Sequence, residues 1–109
     1  MVLEFRETDL FTAQITRLLS DQEYAELQGT LVVRPDAGDL IEDTGGLRKV
    51  RWGQRARGKG KRGGIRVIYY WRVSASLIYM LFAYSKDEQD DLTARQKRVL
   101  AALVKEDFK

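Results

Sequence analysis

The chain has 109 residues, enough for one hydrophobic core, and its 44% hydrophobic and 32% charged content is that of a folded, water-soluble domain. It contains no cysteine and no histidine, which excludes a disulfide framework, a thiolate nucleophile, and the commonest metal ligand and general base. No apolar run nears the roughly 18–20 residues that span a bilayer, and the start MVLEFRETDLF carries acids where a signal peptide has a basic segment. A cytoplasmic protein is expected, with any catalysis left to Lys, Arg, Tyr, Ser, Asp or Glu.

In chain order, Val2–Phe5 predicts a first strand. Thr8 or Asp9 can cap a helix that sets Phe11, Ile15, Leu18 and Leu19 on one face. Ser20-Asp21-Gln22-Glu23 has the pattern of a capping box, opening a second helix that buries Tyr24, Leu27 and Leu31, with Ala25 and Val32 beside them. Pro35 ends it by pushing Arg34 out of helical geometry. Two turn-rich stretches follow, Asp36–Asp39 and Asp43–Gly46, with Leu40-Ile41 between them as an apolar anchor tucked under the loop.

Leu47–Trp52 alternates as a strand does, with Leu47, Lys49 and Arg51 on one face and Arg48, Val50 and Trp52 on the other. Gly53–Gly64 holds five glycines and five cations, and reads as a long mobile hairpin loop with nothing to contribute to a core. Ile65–Val73 is dense in β-branched and aromatic residues. Arg66, Ile68, Tyr70 and Arg72 share one of its faces, and Ile65, Val67, Tyr69 and Trp71 the other. Ser74–Ser76 is a turn into Leu77–Ser85, whose nearly unbroken apolar run predicts a strand covered on both faces. After the acidic turn 87–91, Thr93–Gln96 resembles a second capping box, opening a helix with Leu92, Val99, Leu100, Leu103 and Val104 as its apolar stripe. The expected fold is α+β in the order β-α-α-β-β-β-α, a small antiparallel sheet backed by helices, with residues 1–109 forming a single domain.

Charge is sorted along this order. Residues 1–47 carry a net −7, residues 48–86 a net +11 without one acid, and residues 87–109 a net −1. Eleven cations carried largely on and between strands make a rigid positive surface for a polyanion. No P-loop is present, since Gly58-Lys59-Gly60-Lys61 has neither its spacing nor its preceding strand. Asp87, Glu88, Asp90 and Asp91 are acids of the kind that hold Mg²⁺, but they precede a helix, where acids are expected anyway, so no metal site and no cofactor is assigned.

The cations on strands have a more specific chemistry. Lys49 and Arg51 project from one side, Arg66 opens the next strand, and Lys86 ends the last. In a meander these ends lie side by side, and such a cluster binds a phosphodiester and stabilises its pentacoordinate transition state. RNA supplies its own nucleophile, the 2′-hydroxyl, so cleavage needs neither histidine nor metal. Crowding by like charge disfavours a protonated amine, which makes Lys49 the candidate acceptor of the 2′-hydroxyl proton. Arg66 is the candidate phosphate clamp, and Lys86 the residue that protonates or neutralises the leaving 5′-oxygen. Tyr69, Tyr70, Tyr79, Tyr84, Trp52 and Trp71 could stack bases, but at least half of these six should be core, and Tyr84 is the best candidate for base stacking or proton handling. Arg48, Arg55, Arg57, Lys59, Lys61 and Arg62 are the candidate RNA-backbone contacts.

The succession GGLRKVRW, glycine–basic loop, GGIRVIYYW, LIYMLFAYSKDE and C-terminal helix resembles the RelE/ParE toxin superfamily over nearly the whole chain, most of all its HigB-like members. The resemblance implies a single RelE-like toxin domain over residues 1–109, from a type II toxin–antitoxin module. It further implies a ribosome-dependent mRNA endoribonuclease, neutralised by a cognate helix-turn-helix antitoxin and reaching operator DNA only through that antitoxin. It sets Lys49 and Arg51 at the family's basic pair, Arg66 at the arginine of its G-x-R-x-x-Y motif, and Lys86 at the cation after the last strand. Asp87 and Thr93 stand where the best-known relatives carry an arginine and a tyrosine, so general acid and general base stay unassigned. A gyrase-inhibiting, non-enzymatic protein of the ParE kind, or a non-catalytic RNA-binding module, are the alternatives.

Overall fold

The computed structural model describes residues 2–107, leaving Met1, Phe108 and Lys109 of the expected domain outside the described residues. Its elements are β1 (Glu4–Glu7), α1 (Asp9–Leu18), α2 (Asp21–Val33), β2 (Asp39–Leu40), β3 (Leu47–Trp52), β4 (Ile65–Arg72), β5 (Leu77–Ser85) and α3 (Ala94–Asp107), with short 3-10 turns at Arg55–Arg57 and Val73–Ala75. The helix starts follow from their caps. Thr8 Oγ accepts from the Phe11 amide, Ser20 and Glu23 close a reciprocal capping box, and Thr93 and Gln96 close another.

The strands form one five-stranded sheet in the order β1-β5-β4-β3-β2. β3, β4 and β5 make the expected antiparallel meander. β1 starts two residues later than its apolar residues suggest and runs parallel to β5. The two-residue β2 adds an antiparallel edge beside β3, where sequence reading predicts a turn and the apolar anchor Leu40-Ile41 rather than a strand. With β1 and β2 at opposite edges, α1 and α2 carry the chain across one face of the sheet.

Both faces are covered. Phe11, Ile15, Leu18, Leu27 and Leu31 pack on Val50, Ile65, Val67, Tyr69, Ile78 and Met80. On the other face Leu92, Leu100 and Val104 pack on Leu47, Ile68, Tyr79, Leu81 and Tyr84. β5 lies between the two layers, which accounts for its apolar run. A bulge sets its orientation: Ile68 pairs with Phe82 but Tyr69 with Met80, leaving Leu81 as the extra residue. Ile78 and Met80 therefore face α1 and α2, whereas Phe82 and Tyr84, of the same parity, face α3.

Some apolar expectations are corrected. Ala25 and Val32 are exposed on α2, Leu40 stays exposed while its neighbour Ile41 packs against the α3 layer, and Val99 is exposed on α3. Leu40 lies on the edge strand, where alternation turns one of two neighbours outward.

Candidate nucleic-acid interface and catalytic cluster

The register of the meander builds a cross-strand row. Arg51 pairs with Arg66, and Arg66 with Tyr84, so all three project toward one face from adjacent strands. Lys49, two residues before Arg51 on β3, shares that face. Two guanidiniums, an ammonium and a phenol thus meet on the α3 side of the sheet.

Within this cluster the side chains differ sharply in exposure. Arg51 is exposed and Lys49 half-buried. Arg66 is only 3% exposed, and its guanidinium is engaged with its own chain. Nη1 donates to the carbonyls of Lys61 (2.9 Å) and Ile65 (3.2 Å), and Nη2 to that of Arg62 (2.8 Å). Arg66 is therefore not the outward phosphate clamp read from its position in sequence. It holds the descending end of the glycine–basic loop and places a buried positive charge beneath Arg51. Burial, and then the like charge of Arg51, lower its pKa from the ordinary value, against a smaller opposing effect of Tyr84.

Tyr84 is 2% exposed, and its hydroxyl is buried without a hydrogen-bond partner among the described residues. Burial first, then the negative charge of Asp91, push the phenol up to about 12, with Arg66 pulling the other way. It is a neutral phenol whose donor meets no partner among the described residues, beside Arg66 in the cross-strand row. A buried hydroxyl left unmet costs on the order of 1–3 kcal/mol, so its retention in the core calls for a reason other than packing.

Asp91, which sequence reading leaves in the acidic turn, joins the site through the tertiary fold. Its carboxylate lies 3.3 Å from Lys49 Nζ and accepts the Leu92 amide at 2.8 Å. Burial raises its pKa, but the Leu92 bond and the positive charges of Lys49 and Lys97 outweigh burial and hold the group below the ordinary carboxylate value. Arg34 is the other addition. With Lys49, Arg51, Trp52 and Lys61 it lines a cleft of about 280 Å³ beside β3. Sequence reading gives Arg34 only as the residue that Pro35 pushes out of helical geometry.

The remaining candidates are dispersed. Lys86 follows β5, its amide bonded to the Gly64 carbonyl and its ammonium 3.3 Å from Asp90. Arg48 points away from Lys49 and donates to the carbonyls of Gly38 (2.8 Å) and Asp36 (3.3 Å), tying down the chain before β2. Arg55 pairs with Glu26 at 2.6 Å, Arg57 donates to the Arg17 carbonyl, Lys59 pairs with Asp87, and Lys61 lies 5.3 Å over the Trp52 ring. Lys61 and Arg62 are exposed. Of the tyrosines and tryptophans considered for stacking, Tyr69, Tyr79 and Tyr84 are buried, and Trp52, Tyr70 and Trp71 are half-buried.

The loop carrying these cations is more built than glycine content suggests. Gln54 is 1% exposed, and its Nε2 donates to the Leu18 carbonyl at 3.0 Å. The Arg55 amide donates to Glu23, the same carboxylate that completes the α2 capping box. Gln54 and Lys59 form an isolated bridge, and the Arg55–Arg57 turn closes on Gly58 in left-handed geometry (φ 66°). The loop does reach the core, through Gln54.

Among the described residues no helix is long and apolar enough to cross a membrane, and no group of three acids could hold a metal ion. No family model matches the chain. Among solved structures it is similar to the E. coli toxin RelE, in the free state of an arginine-to-alanine double mutant. That match has a TM-score of 0.60 over 95% of this chain and 98% of that one, at 11% sequence identity. At that identity the likeness is one of architecture, and it extends over both chains almost end to end: this chain has the RelE fold.

Proposed function

We propose that this chain is the toxin of a type II toxin–antitoxin module, of the HigB-like kind, acting in the cytoplasm as a ribosome-dependent mRNA endoribonuclease. The observation that carries the reading is the cross-strand row Arg51–Arg66–Tyr84 with Lys49 beside it. A fold alone hosts many activities, so the argument rests on this cluster. Exposed Arg51 binds the non-bridging oxygens of a phosphodiester at the mouth of the cationic cleft, with half-buried Lys49 beside it. Buried Arg66 adds fixed positive potential from beneath and keeps the loop in place, as a positioning residue.

Cleavage then proceeds by attack of the 2′-hydroxyl oxygen on the adjacent phosphorus and departure of the 5′-oxygen. With Lys49 in its neutral form, its ammonium proton having gone to solvent, the 2′-hydroxyl proton passes to the Lys49 amine, and the leaving oxygen takes a proton from Tyr84 or Lys86. The products are a 2′,3′-cyclic phosphate and a 5′-hydroxyl. Tyr84 fits the donor's part because its hydroxyl is protonated, without a partner among the described residues, and beside Arg66 in the row. Lys61 and Arg62, exposed on the loop, supply affinity for ribosomal RNA without sequence readout. The partners are the ribosome, mRNA and a cognate helix-turn-helix antitoxin, operator DNA being reached only through the last.

Primer extension on mRNA from cells expressing the protein tests this reading. Cuts inside translated frames that vanish when translation is blocked are expected. Intact mRNA accompanied by DNA damage would instead identify a gyrase inhibitor, and RNA binding without cleavage a passive binding module.

A further inference from the structure

The connection between β5 and α3 carries four acids, and each lies on a cation. Asp87 pairs with Lys59, Glu88 with Arg17 (3.1 Å), Asp90 with Lys86 (3.3 Å) and Asp91 with Lys49 (3.3 Å). Three of those cations belong to the candidate RNA surface; Arg17, on α1, does not.

The exposures sort the pairs the same way. The Asp87, Asp90 and Asp91 side chains are 68%, 92% and 57% exposed, against 30%, 37% and 24% for Lys59, Lys86 and Lys49. In these three pairs the carboxylate is the more exposed partner. In Arg17–Glu88 the order reverses, 53% for the arginine against 45% for the acid. The segment is short and anchored at both ends. Ser85 accepts the Asp87 amide on its hydroxyl and the Glu88 amide on its carbonyl, and Asp91 accepts the Leu92 amide.

We infer that residues 87–91 are a built-in competitor of RNA phosphate, three carboxylates seated on Lys49, Lys59 and Lys86 until a polyanion displaces them. The inference rests on the RNA-binding reading above. Exposed ion pairs of this kind are individually weak, so phosphates presented in number and fixed geometry can replace them, whereas a flexible single strand does so poorly. The consequence is a protein that binds free RNA weakly and a densely phosphorylated folded surface well.

The test is binding of a labelled, unstructured single-stranded RNA, followed by fluorescence anisotropy across a salt series. The triple variant Asp87→Asn/Asp90→Asn/Asp91→Asn should bind about tenfold tighter than wild type, with a steeper salt dependence. The side-chain amide oxygen introduced by Asp91→Asn can still accept from the Leu92 amide. The double variant Asp87→Asn/Asp90→Asn, which leaves Asp91 in place, should show an intermediate gain and keeps the question open to measurement if the triple variant folds poorly. Glu88→Gln should change little.

The triple Glu42→Gln/Asp43→Asn/Glu106→Gln makes the same change in net charge at exposed acids outside the connection. An equal gain there would overturn the inference, because the effect would be one of total charge. Salt-dependent binding by wild type with no gain in the connection variants would overturn it while leaving the RNA-binding reading intact. Absence of binding by every variant at low salt would overturn the RNA-binding reading itself.

Discussion

Tyr84 joins two facts that rarely coincide, a side chain in the core and a hydroxyl with no partner among the described residues. Replacing it with Phe removes the unmet donor and keeps the ring, so stability should hold or rise, by up to about 1–3 kcal/mol. If the phenol serves the leaving 5′-oxygen, the same change should slow cleavage by about a hundredfold or more. Chemical denaturation beside a cleavage assay reads both. A marked loss of stability would show that the hydroxyl has a structural partner, and an unchanged rate would remove it from the chemistry. Arg66 makes the contrasting case. Its register sets it in the cross-strand row, and three carbonyl bonds make it a structural residue as well. Loss of activity on truncating it would therefore report on the loop as much as on the phosphate.

At the scale of elements, the meander and the glycine–basic loop are joined where β4 begins. The Lys86 amide reaches the Gly64 carbonyl, and a Cβ at Gly64 would lie 2.1 Å from the Trp52 carbonyl oxygen and 2.9 Å from that of Gly60. Backbone cannot yield as a side chain can. Gly64→Ala should therefore cost at least about 1–3 kcal/mol and shift β4 against β3, disturbing the Arg51–Arg66 pairing. A thermal melt and hydrogen exchange of the β3 and β4 amides would measure this, and an unchanged melt would mean that the close approach relaxes at no cost. The glycine at this point was legible in sequence, but its reason was not. A run of glycines and cations reads as mobile because its local propensities specify nothing. Burial of Gln54 under α1, and the second use of the Glu23 carboxylate by Arg55, depend on residues more than thirty positions away.

The whole molecule is a sheet with helices on both faces, and this places several tyrosines out of water. Burial raises the pKa of Tyr24, Tyr69, Tyr79 and Tyr84, the last to about 12. A phenol with a raised folded pKa contributes fully below its unfolded value near 10, and that contribution disappears as pH climbs through the folded value. Folding stability should accordingly decline between about pH 10 and 12. Comparison with Tyr84→Phe isolates one contribution: wild type should lose on the order of 2 kcal/mol relative to the variant across that window. Parallel stability curves for the two proteins would contradict the assigned burial.

Much at this scale was determined by sequence alone. Period-2 alternation assigned the faces of Leu47–Trp52 and Ile65–Arg72, caps placed three helix starts, and an unbroken apolar run announced a strand covered on both sides. These signals are local, because each follows from what neighbouring side chains do to one backbone segment. The remaining features are long-range. The Leu81 bulge turns Tyr84 to the face of Arg66, which strand parity counted from Ile78 denies. The parallel addition of β1 depends on where α1 and α2 leave the chain. Asp91 meets Lys49 because α3 folds back over the sheet. Pairing register and helix placement are set by how whole faces fit together, and no segment carries that information by itself.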